Sequence, residues 1–213
     1  MPADGESMEN EGFAWDSREP EAAALREAMG TFPTGVTVLT SGHGEESEGM
    51  TANAVISVSL SPLLFLVSVH RETRIAPRIK ETGCYAVSLL SANQEGLSRL
   101  FASPERSSGL SAVRSLGGGY GRTGAPLAAG ALAAIECELE AVYPGGDHEL
   151  FLGRVVAVHL GDTRRGPLVF HEGGYPFLSR RDSPERSNAF VDSVRGFDAR
   201  LSGRSGRAGR RRG

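Results

Sequence analysis

Residues 49–74, GMTANAVISVSLSPLLFLVSVHRETR, limit the fold more than any other stretch. A small Gly-Met-Thr-Ala-Asn segment opens it and reads as flexible. Two apolar runs follow, 54–60 and 63–70, rich in β-branched residues and parted by Ser61-Pro62. Both read as strands. The second is almost wholly apolar, which predicts burial on both faces. The stretch closes on His70-Arg71-Glu72-Thr73-Arg74. Main-chain amides, hydroxyls and two guanidiniums so close together suit one anionic ligand.

Around this stretch the period of the apolar residues changes repeatedly. Ala24, Leu25, Ala28, Met29 and Phe32 recur at helical spacing. Ser17 suits the cap of that helix, Pro20 its first turn, and Pro33 its stop. Residues 35–40 alternate as a strand, and 41–49 read as a polar hairpin loop. A short helix is expected over 75–82, with Pro77 in its first turn and Gly83 just past its end. Residues 84–90 read as a strand and 93–101 as a helix with Leu97, Leu100 and Phe101 on one side. Residues 102–130, rich in Ser and Gly, read as a long connection. Two long strands, 131–143 and 149–160, flank a turn at 144–148, and a short strand is expected at 168–171. This order lacks the regular strand-helix alternation of a doubly wound sheet. It predicts a mainly β fold with peripheral helices, built as a small closed or split barrel.

The 213 residues suit one domain with polar ends, at mean hydropathy −0.21. The expected division is an acidic, disordered leader over 1–16, a folded domain over 17–178, and an arginine-rich, mostly disordered tail over 179–213. No apolar run reaches the roughly 18–20 residues that cross a bilayer, and the acidic start has no apolar core of a secretory signal. Cys84 and Cys137 are the only cysteines and carry no paired spacing, which points to the cytoplasm. The last ten residues hold five arginines and no acid. They read as a solvated end, and nucleic acid is not favoured, because no aromatic is interleaved among them.

Several motifs carry candidate chemistry. Gly119-Tyr-Gly-Arg-Thr-Gly124 has the letters of a dinucleotide fingerprint but lacks the strand before it and the helix after it. It reads as a loop. His148, in Gly-Gly-Asp-His, is open to two readings: a polar group at the mouth of a pocket, or a turn histidine bonded to Asp147. No metal-ligand spacing accompanies it. Arg71 and Arg74 beside Thr73, with a helix beginning at Ile75, suit a phosphate, or form an ordinary charged loop. The small residues Thr51-Ala-Asn53 let a backbone approach a flat ring. Cys84 and Cys137 read as core.

Seven motifs in order resemble those of the short-chain flavin reductases, the reductase components of two-component flavin-dependent monooxygenases. They are FPTGVTV at 32–38, GMTAN at 49–53, SVSLSP at 57–62, GCYAVSLL at 83–90 with Gln94 beyond it, GAPL at 124–127, GDH at 146–148 and GRV at 153–155. The resemblance covers about residues 20–178. It implies an FMN-binding split β-barrel, usually a homodimer, that uses NADH or NADPH to reduce FMN or FAD and hands the reduced flavin to a partner monooxygenase. It implies that Met50, Thr51, Ala52, Asn53 and Ala54 line the isoalloxazine, and that Ser57 and Ser59 face the ribityl or phosphate region. Ser68, Val69, His70, Arg71, Glu72, Thr73 and Arg74 would hold the phosphate end. Tyr85 would lie near the flavin pocket, Asp147 and His148 would meet the nicotinamide, and Tyr175 matches an aromatic position after the last strand. No metal is implied. Ala54 and Ser88 stand where the family often has Ser and Asn, and Thr73-Arg74-Ile75 where it often has Ser-x-Thr. A flavin carrier or sensor on the same barrel, without enzymatic activity, is the alternative.

Overall fold

A computed structural model of the chain describes residues 19–178. The expected leader, the cap at Ser17 and the expected tail lie outside the described residues. In chain order the elements are α1 (Ala22–Gly30), β1 (Thr34–Gly35), β2 (Thr37–Ser41), β3 (Glu48–Ala52), β4 (Val55–Leu60), β5 (Leu63–His70), α2 (Ile75–Thr82), β6 (Cys84–Leu89), α3 (Glu95–Ala102), α4 (Gly109–Leu116), β7 (Gly117–Tyr120), β8 (Pro126–Ala128), β9 (Ala133–Gly145), β10 (His148–Leu160) and β11 (Val169–Phe170).

Seven strands form one antiparallel sheet in the order β3-β2-β6-β9-β10-β5-β4. Its two edge strands are consecutive in sequence, joined only by Asn53 and Ala54. Laid flat, the edges of seven strands would stand about 29 Å apart at ~4.8 Å per strand. Three residue steps from Ala52 to Val55 span at most about 11 Å. The sheet must therefore roll until its edges meet. Residues 48–60 act as one run that pairs with β2 through its first half and with β5 through its second. The ladder itself stays open between β3 and β4, which gives the split form.

The interior of the roll holds Leu39, Phe65, Val67, Ile79, Tyr85 and Phe151. Tyr85 is fully buried and its hydroxyl donates to the Phe65 carbonyl at 2.8 Å. Gly153 has no room for a Cβ, which would meet Cys137 and the Tyr85 hydroxyl at 2.6 Å. A second apolar cluster, with Val38, Leu90, Phe101, Leu116 and Leu168, covers the outer face of the sheet beneath α3 and α4. This is why β2 is buried along its whole length. Cys84 and Cys137 are buried free thiols, in line with their reading as core.

The structure corrects several expectations. Helix α1 starts at Ala22, after Pro20, and buries none of its residues, so its apolar face does not pack on this chain's core. Met50 to Ala52 are strand, because β2 offers them a full ladder. Strand β5 buries Phe65, Val67 and Val69 but leaves alternate residues half-exposed, as an antiparallel strand with one core face does. On α3, Ser98 and Phe101 are buried, while Leu100 is 41% exposed. The expected connection over 102–130 contains α4, β7 and β8. Helix α4 is only two turns long and sits between glycines of positive φ, Gly109 and Gly117, so its composition mimics a loop.

The glycine-rich loop 119–124 does cradle an anion, but the anion is the protein's own. The fully buried Glu136 carboxylate accepts from Arg122 N–H at 2.9 Å, from Thr123 N–H at 2.6 Å and from Thr123 Oγ1 at 2.7 Å, and it meets His159 Nε2 at 2.6 Å. Gly121 leaves no space for a Cβ against that carboxylate. Burial pushes the Glu136 pKa up, but the bonds from Thr123, His159 and Arg122 outweigh it and hold the group at about 2, against 4.5 ordinarily. Its contribution to stability is therefore present above about pH 4.5 and is lost as pH falls through about 2. Glu136→Gln is expected to cost roughly 3 kcal/mol in urea unfolding at neutral pH, with the gap to the parent narrowing on acidification. A variant as stable as the parent at neutral pH would contradict this.

Candidate functional site

Asn53 is the residue at which the 48–60 run leaves β2 and turns to β5. Ala52 is the last to pair with β2, opposite Thr37, and the Ala54 carbonyl accepts from Ser68 N–H at 2.9 Å. Both Asn53 and Ala54 are exposed. Main chain at such a seam is released from ladder bonds and can serve a ligand.

Two clefts meet at Asn53. One, of about 390 Å³, lies between the seam and residues 32–36, with Val55 and Leu168 among its walls. The other, of about 190 Å³, is lined by Thr51, Ala102, Phe170 and Tyr175. The first falls in the size range of small-molecule sites, and its walls are mainly apolar with a few polar groups. Asn53 Nδ2 donates to Thr34 Oγ1 at 3.1 Å, which ties the seam to β1. Strand β1 is in turn held by β11, where Gly35 pairs with Val169. Thr51 Oγ1 donates to the Ser98 carbonyl at 2.6 Å, on the face opposite Met50 and Ala52, which belong to the barrel interior. Tyr175 closes the smaller cleft. Its hydroxyl bonds Ser98 Oγ at 2.8 Å, its ring meets Phe170, and the Arg99 guanidinium lies over it at 5.0 Å.

The expected phosphate segment follows directly from the seam, through Ser68. The Val69 side chain is buried, so only its main chain is on offer. Thr73 Oγ1 is turned back to the His70 carbonyl at 2.8 Å. Arg74 bonds Glu48 at 3.2 Å and donates to the Arg106 carbonyl at 2.8 Å, while Arg106 donates to the Gly49 carbonyl at 2.8 Å. Burial, then the charge of Arg74, lowers the Arg106 pKa, and Glu48 offsets part of this. Two guanidiniums facing one carboxylate leave a net positive patch at the start of β3. Arg106 escaped the sequence reading because it lies in the stretch taken for a connection. Arg71 and Glu72 are exposed or half-exposed on the turn beside it.

Asp147 and His148 sit at the tip of the β9–β10 hairpin. His148 Nδ1 bonds Asp147 Oδ1 at 2.7 Å, so the turn bond foreseen as one reading does form, and the ring stays partly open to solvent. Antiparallel register places His148 opposite His70. That pairing could not be read from the two distant segments.

Two groups of expected residues are not brought to the seam. Tyr85 is sealed inside the barrel and its hydroxyl is used there, so it lines no cleft. Ser57 and Ser59 pair with Phe65 and Leu64, toward the far end of β5. Ser59 therefore stands about 13 Å along the strand from Ser68, and its Oγ accepts from Ser61 N–H. Thr34, Val36, Ala102 and Phe170 join the site instead. The first two lay within the FPTGVTV motif, and nothing in the sequence marked the others.

Comparisons with known proteins show what the chain is similar to. Residues 29–179 match the family described as flavin reductase like domain. An NADH-dependent FMN reductase of Streptomyces nodosus subsp. asukaensis is 45% identical over 160 residues, covering 75% of this chain and 86% of that protein. An NADH-dependent FAD reductase of Streptomyces globisporus is 42% identical over 162 residues, covering 76% and 86%. Among solved structures, BorF, the flavin reductase component of a bacterial two-component tryptophan halogenase, superposes with a TM-score of 0.70 at 41% identity, covering 76% of this chain and all of that one.

The wall of the smaller cleft is testable without any ligand. Tyr175→Phe keeps the ring but leaves the buried Ser98 hydroxyl without this partner, and should cost about 1–2 kcal/mol in urea unfolding. An unchanged midpoint would mean that the bond does not hold the wall.

Proposed function

The chain belongs to the flavin reductase like family and is an NAD(P)H:flavin oxidoreductase; from that premise we propose where on this fold the reaction runs. The flavin ring lies at the Asn53 seam, against the main chain of 51–54 and the 32–36 wall. The observation that carries this placement is the meeting of two clefts at the one point where the barrel's ladder is open. The residues there fit a flat, amphipathic ring: apolar walls at Val36 and Val55, and polar edges at Asn53 and Thr34. The flavin's phosphate lies toward Arg74 and Arg106, the net positive patch reached from Met50 along β3.

Hydride passes between reduced nicotinamide and flavin, and the cofactors supply that chemistry themselves when bound. The protein needs no general base for it. Asn53 and the seam amides orient one ring and offer hydrogen bonds to charge that develops on it. His148 Nε2 orients the nicotinamide, because its Nδ1 is already held by Asp147. Apolar walls exclude water from the ring face. The relatives are named for NADH, which we take as the donor, while one is named for FMN and the other for FAD. Reduced flavin then goes to a separate flavin-dependent oxygenase, the arrangement named for BorF and its halogenase.

A second copy of the chain completes the surface. Leu25 and Met29 are 64% and 55% exposed on α1, Phe32 just beyond it is 61% exposed, and Ile56, Val58, Leu60 and Leu63 are exposed on the sheet. Apolar area of this kind marks an interface, and we propose a homodimer. Among the described residues no helix is long and apolar enough to cross a membrane. A cytoplasmic site of action is consistent with two buried free thiols.

Mixing the purified chain with NADH and FMN or FAD should give turnover, read as loss of NADH absorbance. Flavin binding without NADH loss would support a carrier or sensor instead. His148→Ala should raise the NADH KM about tenfold and leave the flavin KM within about twofold. Equal changes in both would remove His148 from the nicotinamide side.

A further inference from the structure

One carboxylate stands between two imidazoles at the hairpin tip. Asp147 Oδ1 is 2.7 Å from His148 Nδ1, and Asp147 Oδ2 is 3.9 Å from His70 Nε2. The two rings meet edge to face with centroids 5.2 Å apart, because His70 and His148 are register partners on β5 and β10. The backbone ties the same two segments together, with Arg71 N–H donating to the Asp147 carbonyl at 3.0 Å.

These contacts fix where the protons are. A carboxylate only accepts, so His148 Nδ1 carries a proton, and the neutral ring then presents a lone pair at Nε2. The Glu72 amide donates to His70 Nδ1 at 3.3 Å. His70 Nδ1 is therefore the lone-pair nitrogen, and the proton sits on Nε2, the atom that faces Asp147. Both rings direct an N–H at the same carboxylate, one to each oxygen. At 3.9 Å the His70 contact is electrostatic, not a hydrogen bond, and it strengthens when that ring gains a second proton.

We propose that His70 is a positioning residue for hydride transfer: through Asp147 it fixes the tautomer and orientation of His148, so that His148 Nε2 faces the nicotinamide. The inference rests on the placement of nicotinamide at His148 given above. A nicotinamide carboxamide carries both an N–H donor and a carbonyl acceptor. The neutral Nε2 accepts from the first, and the protonated Nε2 donates to the second. The other charged groups around the pair are Arg71 and Glu72 on the His70 turn, and Glu149 beside His148. Glu149 is already bonded to Lys80 of α2 at 2.6 Å.

Two variants and one spectrum test this. Side chains of His70 and His148 are about two-fifths exposed, so the variants should fold. His70→Phe keeps a ring and removes the N–H. It should raise the NADH KM about fivefold and leave the flavin KM within about twofold. His70→Gln restores a neutral N–H near Nε2 and should recover the KM. An unmoved NADH KM in His70→Phe would overturn the role, as would equal changes in both substrates' constants. Ring-nitrogen NMR of the parent without ligands should report N–H at His70 Nε2 and at His148 Nδ1. The opposite tautomer at His148 would also overturn it. A parent chain that oxidised no NADH would overturn the reaction reading, whereas the expected tautomers with an unmoved KM would overturn His70 alone.

Discussion

Residues 48–60 must satisfy two ladders at once. Their first half bonds to β2 and their second to β5, strands at opposite ends of the sheet order. Only a rolled sheet can do this, and the roll needs one point where the run changes partner. Asn53 and Ala54 are that point. Asn53 pairs with neither ladder, the Ala54 carbonyl bonds only Ser68 N–H of β5, and both side chains are exposed. The proposed binding site is in this sense a product of how the barrel is joined.

The outer elements turn that gap into clefts. Strands β1 and β11 bring Thr34 and Phe170 alongside it, and α3 supports it through the bond between Thr51 and Ser98. Elsewhere, the loop that carries the glycines closes on Glu136 with three bonds, and His159 of β10 adds a fourth. A loop built to hold an anion is thereby removed from the search for a cofactor, because it holds one already.

Much of the fold was legible from local pattern. Strand β5 and helix α2 have the bounds that the apolar run and the Pro77–Gly83 punctuation predict. Helix α4 was not legible, since its two turns, with Leu110, Val113 and Leu116 at helical spacing, are embedded in a run of Ser and Gly. The site was legible only in part. The period of two says that Tyr85 and Val69 lie on one side of a strand, but not that the side is the interior. Strand order and register decide that Ser59 pairs with Leu64 and that His148 pairs with His70. Both are long-range facts, and neither leaves a trace in local sequence. The resemblance supplied the residues of the seam, and the structure supplied the reason that they are exposed.

The central claim is that flavin occupies the seam at Asn53. Hydrogen exchange of the chain with and without FMN tests it most directly. The account predicts slower exchange in peptides covering 33–37 and 52–55, with 157–161 unchanged. Protection confined to 157–161, where a shallow cleft of about 190 Å³ lies beside His159, would contradict it.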